Sequence, residues 1–340
     1  MMTGVLLGAW GHWSAVLHEL DVSGGEFRIA GIAAIHDNDG DTPAARIVAE
    51  HACASGARIE SDPDALLRDL HPDFAVVSAR PDRLPRLAAL AASHGCHIVC
   101  EKPLALGIPA LLALRDAVLG AGVRVCAMLP NRTRPALAAA VAAIRDGAIG
   151  RPVLLNARKT YKWGKRPAWF GDRAAYGGTI PWIGIHALDF IDAATGGDPV
   201  AEVCAYHANL GHPSHPGCED VCALTMHLAS GVLATASLDY FRPDAPVPHG
   251  DDGLRVVGTL GELTVDIERN CAVLLEPGHD PRELPLPAAT PYYTPWLRAL
   301  PPHGTPATPD DRTLRAFRLT QEALSARDAA DSGHPRRPAP

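Results

Sequence analysis

The 340-residue chain predicts an α/β protein, with a doubly wound parallel sheet in its first part and a C-terminal α/β domain built on a largely antiparallel, open sheet. Two patterns lead there. As far as residue 128, short β-rich runs alternate with helical stretches of about 10 to 15 residues, which implies right-handed crossovers and parallel strands. Beyond residue 130, β-rich runs follow one another across glycine turns, the pattern of antiparallel pairing.

In the first part "GVLLGA" reads as a strand, "SAVLHEL" as helix and "FRIAGIAAIHD" as strand. "PAARIVAEHA" follows as helix, then "DFAVVSA" as strand, "PRLAALAASHG" as helix and "HIVCEK" as strand. "IPALLALRDAVLGAG" and "VRVCAML" close it as helix and strand. The second part opens on the helix "PALAAAVAAIRDGAIG" and continues through the strand-like runs "PVLLNARKTY", "PVAEVCAYHANL", "DVCALTMHLASG", "VLATASLDYF", "GLRVVGTLGELTVDI" and "CAVLLEP". "WIGIHALDFIDAATGG" is its helical exception. "DDRTLRAFRLTQEALSARDAA" should form a terminal helix with an aspartate cap and an apolar face at Leu314, Phe317 and Leu324. The expected boundaries are a dinucleotide-binding domain over 1–128, a substrate and oligomerisation domain over 129–330, and a flexible tail over 331–340.

A formal net charge of −7 and the lack of a basic block argue against nucleic acid. No uninterrupted apolar run approaches the roughly 18 residues that a membrane helix requires, because Arg115, Asp116 and Arg124 break the longest one. "MMTGVLLGAW" lacks the charged start of a signal peptide and reads as a first strand. Eight scattered cysteines, mostly inside apolar runs, are no disulfide framework and fit a reducing cytoplasm.

In a doubly wound sheet, ligands bind beyond the C-terminal strand ends. The first strand ends in "LLGAWGHW", where a dinucleotide fingerprint wants three spaced glycines. Only Gly8 fits the first position; Trp10 and Trp13 fall at the second and third, and Gly11 is offset. The loop Gly8, Ala9, Trp10, Gly11, His12 is thus a degraded pyrophosphate cradle, with an ordinary strand-to-helix turn as the competing reading. Asp37, at the end of the second strand, can accept hydrogen bonds from an adenosine ribose, or merely begin a turn. No cation follows it until Arg46, so NAD is favoured over NADP. Ser78 and Arg80, after "DFAVV", belong to the same expected cofactor edge, as do Glu101 and Lys102.

The chain uses four lysines against 27 arginines. Lysine is a compact charge whose pKa shifts on burial, whereas arginine stays charged. Lys102 follows a buried-looking strand in "HIVCEKPLAL", where a partly desolvated ammonium can hold or polarise a substrate oxygen. A surface lysine is the plainer alternative. The other three lysines sit in "RKTYKWGKRPAWF", where Tyr161, Lys162 and Trp163 suit either a sugar pocket or a solvated loop.

With these motifs in view, the sequence resembles the Gfo/Idh/MocA oxidoreductases over nearly its whole length. "CHIVCEKPLAL", "PNRTRPALAAAVAAIRDGAIGRPV", "YGGTIPWIGIHALDFI" and "TLRAFRLTQEAL" carry the resemblance, and the Glu-Lys-Pro element with Gly-x-His-x-x-Asp is specific in combination. The resemblance implies a Rossmann dinucleotide domain, with Lys102 orienting substrate and nicotinamide and His186 accepting a proton. An imidazole suits that role at neutral pH. A satisfied core histidine is the alternative, since the chain has 16 histidines.

One departure stands out. The family commonly carries aspartate four residues before that histidine; here the residue is Trp182, which cannot accept a proton. Asp189, three residues beyond His186, is its helical neighbour and would either orient the imidazole or form a structural ion pair. His212, His215, Cys218 and Cys222 are zinc-ligand types without the usual spacing, so no metal is expected.

The expected function is hydride transfer between NAD(P) and a secondary hydroxyl or carbonyl of a sugar, polyol or cyclitol-like molecule, in a cytoplasmic homo-oligomer. The alternative is a non-catalytic regulator that binds a dinucleotide or sugar on the same fold, a reading that the tryptophans at 10, 13 and 182 motivate.

Overall fold

The computed structural model describes residues 1–33, 42–245 and 247–338, and the chain separates into two compact units. The first comprises Met1–Met128 and Pro291–Phe317; the second comprises Leu129–Thr290 and Arg318–Pro340. A single boundary after residue 128 does not include the return of Pro291–Phe317 to the first unit.

The first unit runs β1 (Met2–Leu7), α1 (Trp13–Asp21), β2 (Phe27–Ala33), α2 (Ala44–Glu50), β3 (Arg58–Glu60), α3 (Pro63–Leu70), β4 (Phe74–Val77), α4 (Leu84–Ser93), β5 (His97–Cys100), α5 (Ile108–Ala121) and β6 (Val125–Ala127). The six strands are parallel in the order β3-β2-β1-β4-β5-β6, with the switch point between β1 and β4. Helices on both faces exclude water from the central strands, so every residue of β4 and β5 is buried and the sequence there is a continuous apolar run. The short β3 and the polar α3 were not anticipated, because β3 has only three residues and none is buried.

The second unit opens with α6 (Pro135–Arg145) and β7 (Pro152–Lys162), followed by α7 (Arg173–Tyr176) and α8 (Ile185–Thr195). Strands β8 (Val200–Ala208), β9 (Val221–Leu228), β10 (Leu233–Arg242), β11 (Gly250–Gly258), β12 (Glu262–Asp266), β13 (Cys271–Leu275) and β14 (Arg282–Glu283) complete an eight-stranded sheet in the order β14-β13-β12-β11-β7-β10-β9-β8. All its pairings are antiparallel except β7 with β10. Period-two alternation turns Cys222, Leu224, Met226 and Leu228 of β9 inward, together with Ala234, Ala236, Leu238 and Tyr240 of β10. All ten residues of Ile185–Ala194 are buried, which explains why α8 reads as apolar all round.

In the returning segment, α9 (Thr294–Arg298) is tied to α1 by the Glu19 carboxylate, which accepts from the backbone nitrogens of Tyr292, Tyr293 and Thr294. The terminal helix α10 (Asp311–Ser332) has the expected aspartate cap: Asp310 accepts from the Thr313 nitrogen at 2.8 Å. Phe317 and Leu324 are buried as expected, but Leu314 is 57% exposed. The inward face of the first turn is taken instead by Thr313, whose hydroxyl bonds the backbone of Val125. The chain end is less loose than a bare tail, since Arg336 and Val203 exchange two backbone hydrogen bonds at 2.8 Å. All eight cysteines are free thiols.

Candidate active site

In the first unit, the β1–α1 loop turns on two left-handed glycines. Gly8 has φ +81° and Gly11 φ +100°. A Cβ at Gly8 would strike the Ser78 carbonyl, and one at Gly11 would strike the Glu101 carboxylate. The offset Gly11 therefore provides the close backbone approach that the sequence pattern assigned to other positions, and helix α1 starts only at Trp13. Both tryptophans are held locally, Trp13 through its indole and Trp10 through its backbone. Trp13 turns into the core and donates its indole N–H to the Ala9 carbonyl at 3.1 Å; the Trp10 carbonyl accepts from the Ser78 hydroxyl at 2.6 Å and its nitrogen donates to the Ser78 carbonyl at 3.1 Å.

Glu101, fully buried at the end of β5, pins this loop. Its Oε2 accepts from the His12 backbone nitrogen and lies 2.7 Å from His12 Nδ1, while its Oε1 accepts from the Lys102 nitrogen at 2.9 Å. Burial opposes the carboxylate's charge, but the His12 ring, the Lys102 ammonium and the bonds from His12 outweigh it and hold the pKa down at about 2. Lys102 is 1% exposed, with Nζ 3.8 Å from Glu101 Oε1, which excludes a surface role.

This half fits a dinucleotide. The two glycines clear a cradle beside the loop, and no side chain caps the N-terminus of α1, so its first turn can receive a phosphate. Arg80 pairs with Asp82 through two bonds of 2.6 and 2.8 Å. Asp37 lies outside the described residues.

In the second unit, His186 sits on α8, 6% exposed, preceded by a π-helical turn over Ile180–Gly184 that carries Trp182. The indole is buried, edge-on to Phe170 at 6.2 Å and tilted against Tyr176 at 6.4 Å. Asp189 accepts from Arg132 Nε at 2.6 Å, and Asp192 pairs with both Arg132 and Arg318, so Asp189 forms the ion pair that was one of its two readings, in a network whose arginine partners no local sequence pattern revealed. Tyr161 stacks on His249 at 4.8 Å and on Tyr240 at 6.4 Å; Lys162 bonds the Ala245 carbonyl.

Lys159 was the missed residue. It is 2% exposed and ion-paired with Asp252, with the Tyr161 ring 4.7 Å from its Nζ. Burial opposes its charge, but Tyr161 and Asp252 raise its pKa. The signal was its inward register with Leu155 and Ala157. The His212 ring bonds Asp220 at 2.9 Å and stacks on Trp163, and no group of three His, Cys, Asp or Glu among the described residues is placed to hold a metal. Nor is any described helix long and apolar enough to cross a membrane.

Comparisons with known proteins agree with this architecture. Residues 9–128 match the oxidoreductase family with an NAD-binding Rossmann fold, and residues 137–264 match the Gfo/Idh/MocA C-terminal domain. The 1,5-anhydro-D-fructose reductase of Ensifer adhaerens is 31% identical over 252 residues, 70% of this chain and 72% of that protein. Inositol 2-dehydrogenase 2 of Saccharopolyspora erythraea is 28% identical over 212 residues; the match covers 62% of this chain and 59% of that protein. A putative oxidoreductase from Thermotoga maritima superposes with a TM-score of 0.87 at 27% identity, covering 99% of this chain and 100% of its own. The chain belongs to the Gfo/Idh/MocA oxidoreductases, and its residues 9–128 form their NAD-binding Rossmann domain.

Proposed function

We propose that the protein is an NAD-dependent oxidoreductase acting on a secondary hydroxyl or carbonyl of a sugar, polyol or cyclitol. The observation that supports this best is the glycine turn held down on Glu101 with Lys102 buried beside it. Bound NAD supplies the hydride acceptor. Gly8, Ala9, Trp10, Gly11 and His12 would hold its pyrophosphate, in a loop fixed by the Ser78 hydroxyl bond to the Trp10 carbonyl. The Glu101 carboxylate lies 3.8 Å from the Lys102 ammonium, and Lys102 would hold the substrate oxygen as negative charge builds there. His186 takes the hydroxyl proton as the carbon–hydrogen bond gives up its hydride, and the alcohol becomes a carbonyl. Asp189 is engaged by Arg132 and takes no proton.

We also propose a homo-oligomer that works in the cytoplasm. The exposed face of the second sheet, with Asn156, Thr225, Thr235 and Ser237, is the surface offered for association, and sedimentation of the purified chain measures it.

The activity test is reduction of NAD in the presence of a panel of sugars, polyols and cyclitols. Turnover of a panel member that falls roughly 10²- to 10⁴-fold in His186→Ala, and also falls in Lys102→Ala, supports the reading. Tight NADH binding with no turnover across the panel would favour a non-catalytic sensor.

A further inference from the structure

Arg166, just beyond β7 in the second unit, is half-buried among three aromatic rings. Its guanidinium carbon lies 4.7 Å from the Tyr240 ring, 5.2 Å from Phe170 and 5.7 Å from Trp163. Such contacts favour the charge but leave the N–H groups in need of acceptors. One terminal nitrogen donates to the Lys162 carbonyl at 3.3 Å, whereas the buried Nε has no hydrogen-bond partner. Acids of this part of the second unit are engaged elsewhere: Asp252 with Lys159, Glu219 with Arg173, Asp220 with His212, and Glu268 4.0 Å from Arg134. Asp244, 4.0 Å from Lys162, is fully exposed. Among the described residues none of these acids forms an ion pair with Arg166.

Arg166 is therefore a cation that none of these carboxylates neutralises directly, in a chain of net charge −7. For His249, stacked on Tyr161, partial burial and the charges of Arg166, Lys162 and Lys159 outweigh the opposing Glu268 and hold its pKa below the ordinary value. Trp182 lies one ring away, edge-on to Phe170. An aspartate at 182 would bring a negative charge toward the cage; the indole brings none.

We propose that the Arg166 cage is an anion subsite, and that the substrate is an acidic sugar or polyol whose carboxylate or phosphate the guanidinium receives. The half-buried guanidinium offers terminal N–H donors that an oxyanion, unlike a hydroxyl, can satisfy with charge as well as geometry. This inference rests on the oxidoreductase reading for the word substrate; the subsite itself does not.

The test is a titration of the full chain without cofactor, followed by tryptophan fluorescence, since Trp163 lines the cage. D-Gluconate, D-glucitol 6-phosphate and neutral D-glucitol are compared at constant ionic strength. At least one of the anions is expected to half-saturate about tenfold below glucitol. Preference for gluconate identifies a carboxylate, and preference for the phosphate ester a phosphate. Arg166→Gln should abolish the preference and Arg166→Lys retain part of it. Equal binding of all three, absence of anion binding, or a preference that survives in Arg166→Gln would overturn the proposal; the wild-type comparison decides even if the variants fail to fold. An anion preference without any turnover would leave the subsite standing and remove the oxidoreductase reading. Turnover of neutral polyols without the preference would do the reverse.

Discussion

The Oε2 atom of Glu101 lies 2.7 Å from both the backbone nitrogen and the Nδ1 of His12, so one buried carboxylate at the end of β5 fixes the loop between β1 and α1. Glu101→Ala would free that loop and leave the buried Lys102 ammonium without this carboxylate. The expected loss is on the order of 3 kcal/mol in urea unfolding, together with weaker NADH binding. Glu101→Gln should lose less, because an amide oxygen still accepts from His12. The carboxylate's pKa falls from 4.5 to about 2 on folding, so its contribution is complete above pH 4.5 and disappears as pH falls toward 2. Acid unfolding curves of the wild type and Glu101→Gln should therefore converge in that window.

Gly11→Ala should cost more than Gly24→Ala, although both glycines have positive φ. At Gly24 nothing lies within 4 Å of an added Cβ, and only the backbone strain of about 1 kcal/mol remains. At Gly11 the methyl meets the Glu101 carboxylate. Thermal melts of the two variants, with and without NADH, should show stabilisation by NADH retained in Gly24→Ala and lost in Gly11→Ala.

His97, buried on β5, accepts from the Arg124 nitrogen at 3.0 Å. Burial and the charge of Arg124 press its pKa down from 6.5 to about 4, so the folded state holds the ring neutral. The unfolded chain takes up the proton first as pH drops below 6.5. Stability is thus complete above pH 6.5 and declines by roughly 3 kcal/mol down to pH 4. His97→Asn should flatten the unfolding free energy across that interval.

Breaking the buried Lys159–Asp252 pair from one side, as in Asp252→Ala, should destabilise by about 3–5 kcal/mol, since it strands a buried ammonium. The double variant Lys159→Met, Asp252→Leu should recover most of that loss in chemical denaturation.

Much of the fold was legible because burial imposes period on sequence. The apolar runs of β4 and β5 and the alternation of β9 and β10 each report how many faces are covered. What was not legible depends on distant partners. Trp13 looked like an obstacle to a cofactor, but its indole turns inward and bonds the Ala9 carbonyl. Asp189 was three residues from His186, but its carboxylate bonds Arg132, 57 positions away. Lys159 and Asp252 are 93 apart and meet only because β11 pairs with β7. The lysine of Glu-Lys-Pro was readable from its rarity and its neighbours; the glutamate's hold on His12 was not, because it joins residues 89 apart.

The most direct measurement is a titration of the purified chain with NADH, followed by energy transfer from tryptophan to the reduced nicotinamide, in the wild type and in Gly11→Ala. A cofactor cradle made by Gly8, Gly11 and Glu101 predicts saturable binding to the wild type and its loss in the variant. Absence of saturable binding to a folded wild-type protein would contradict the account.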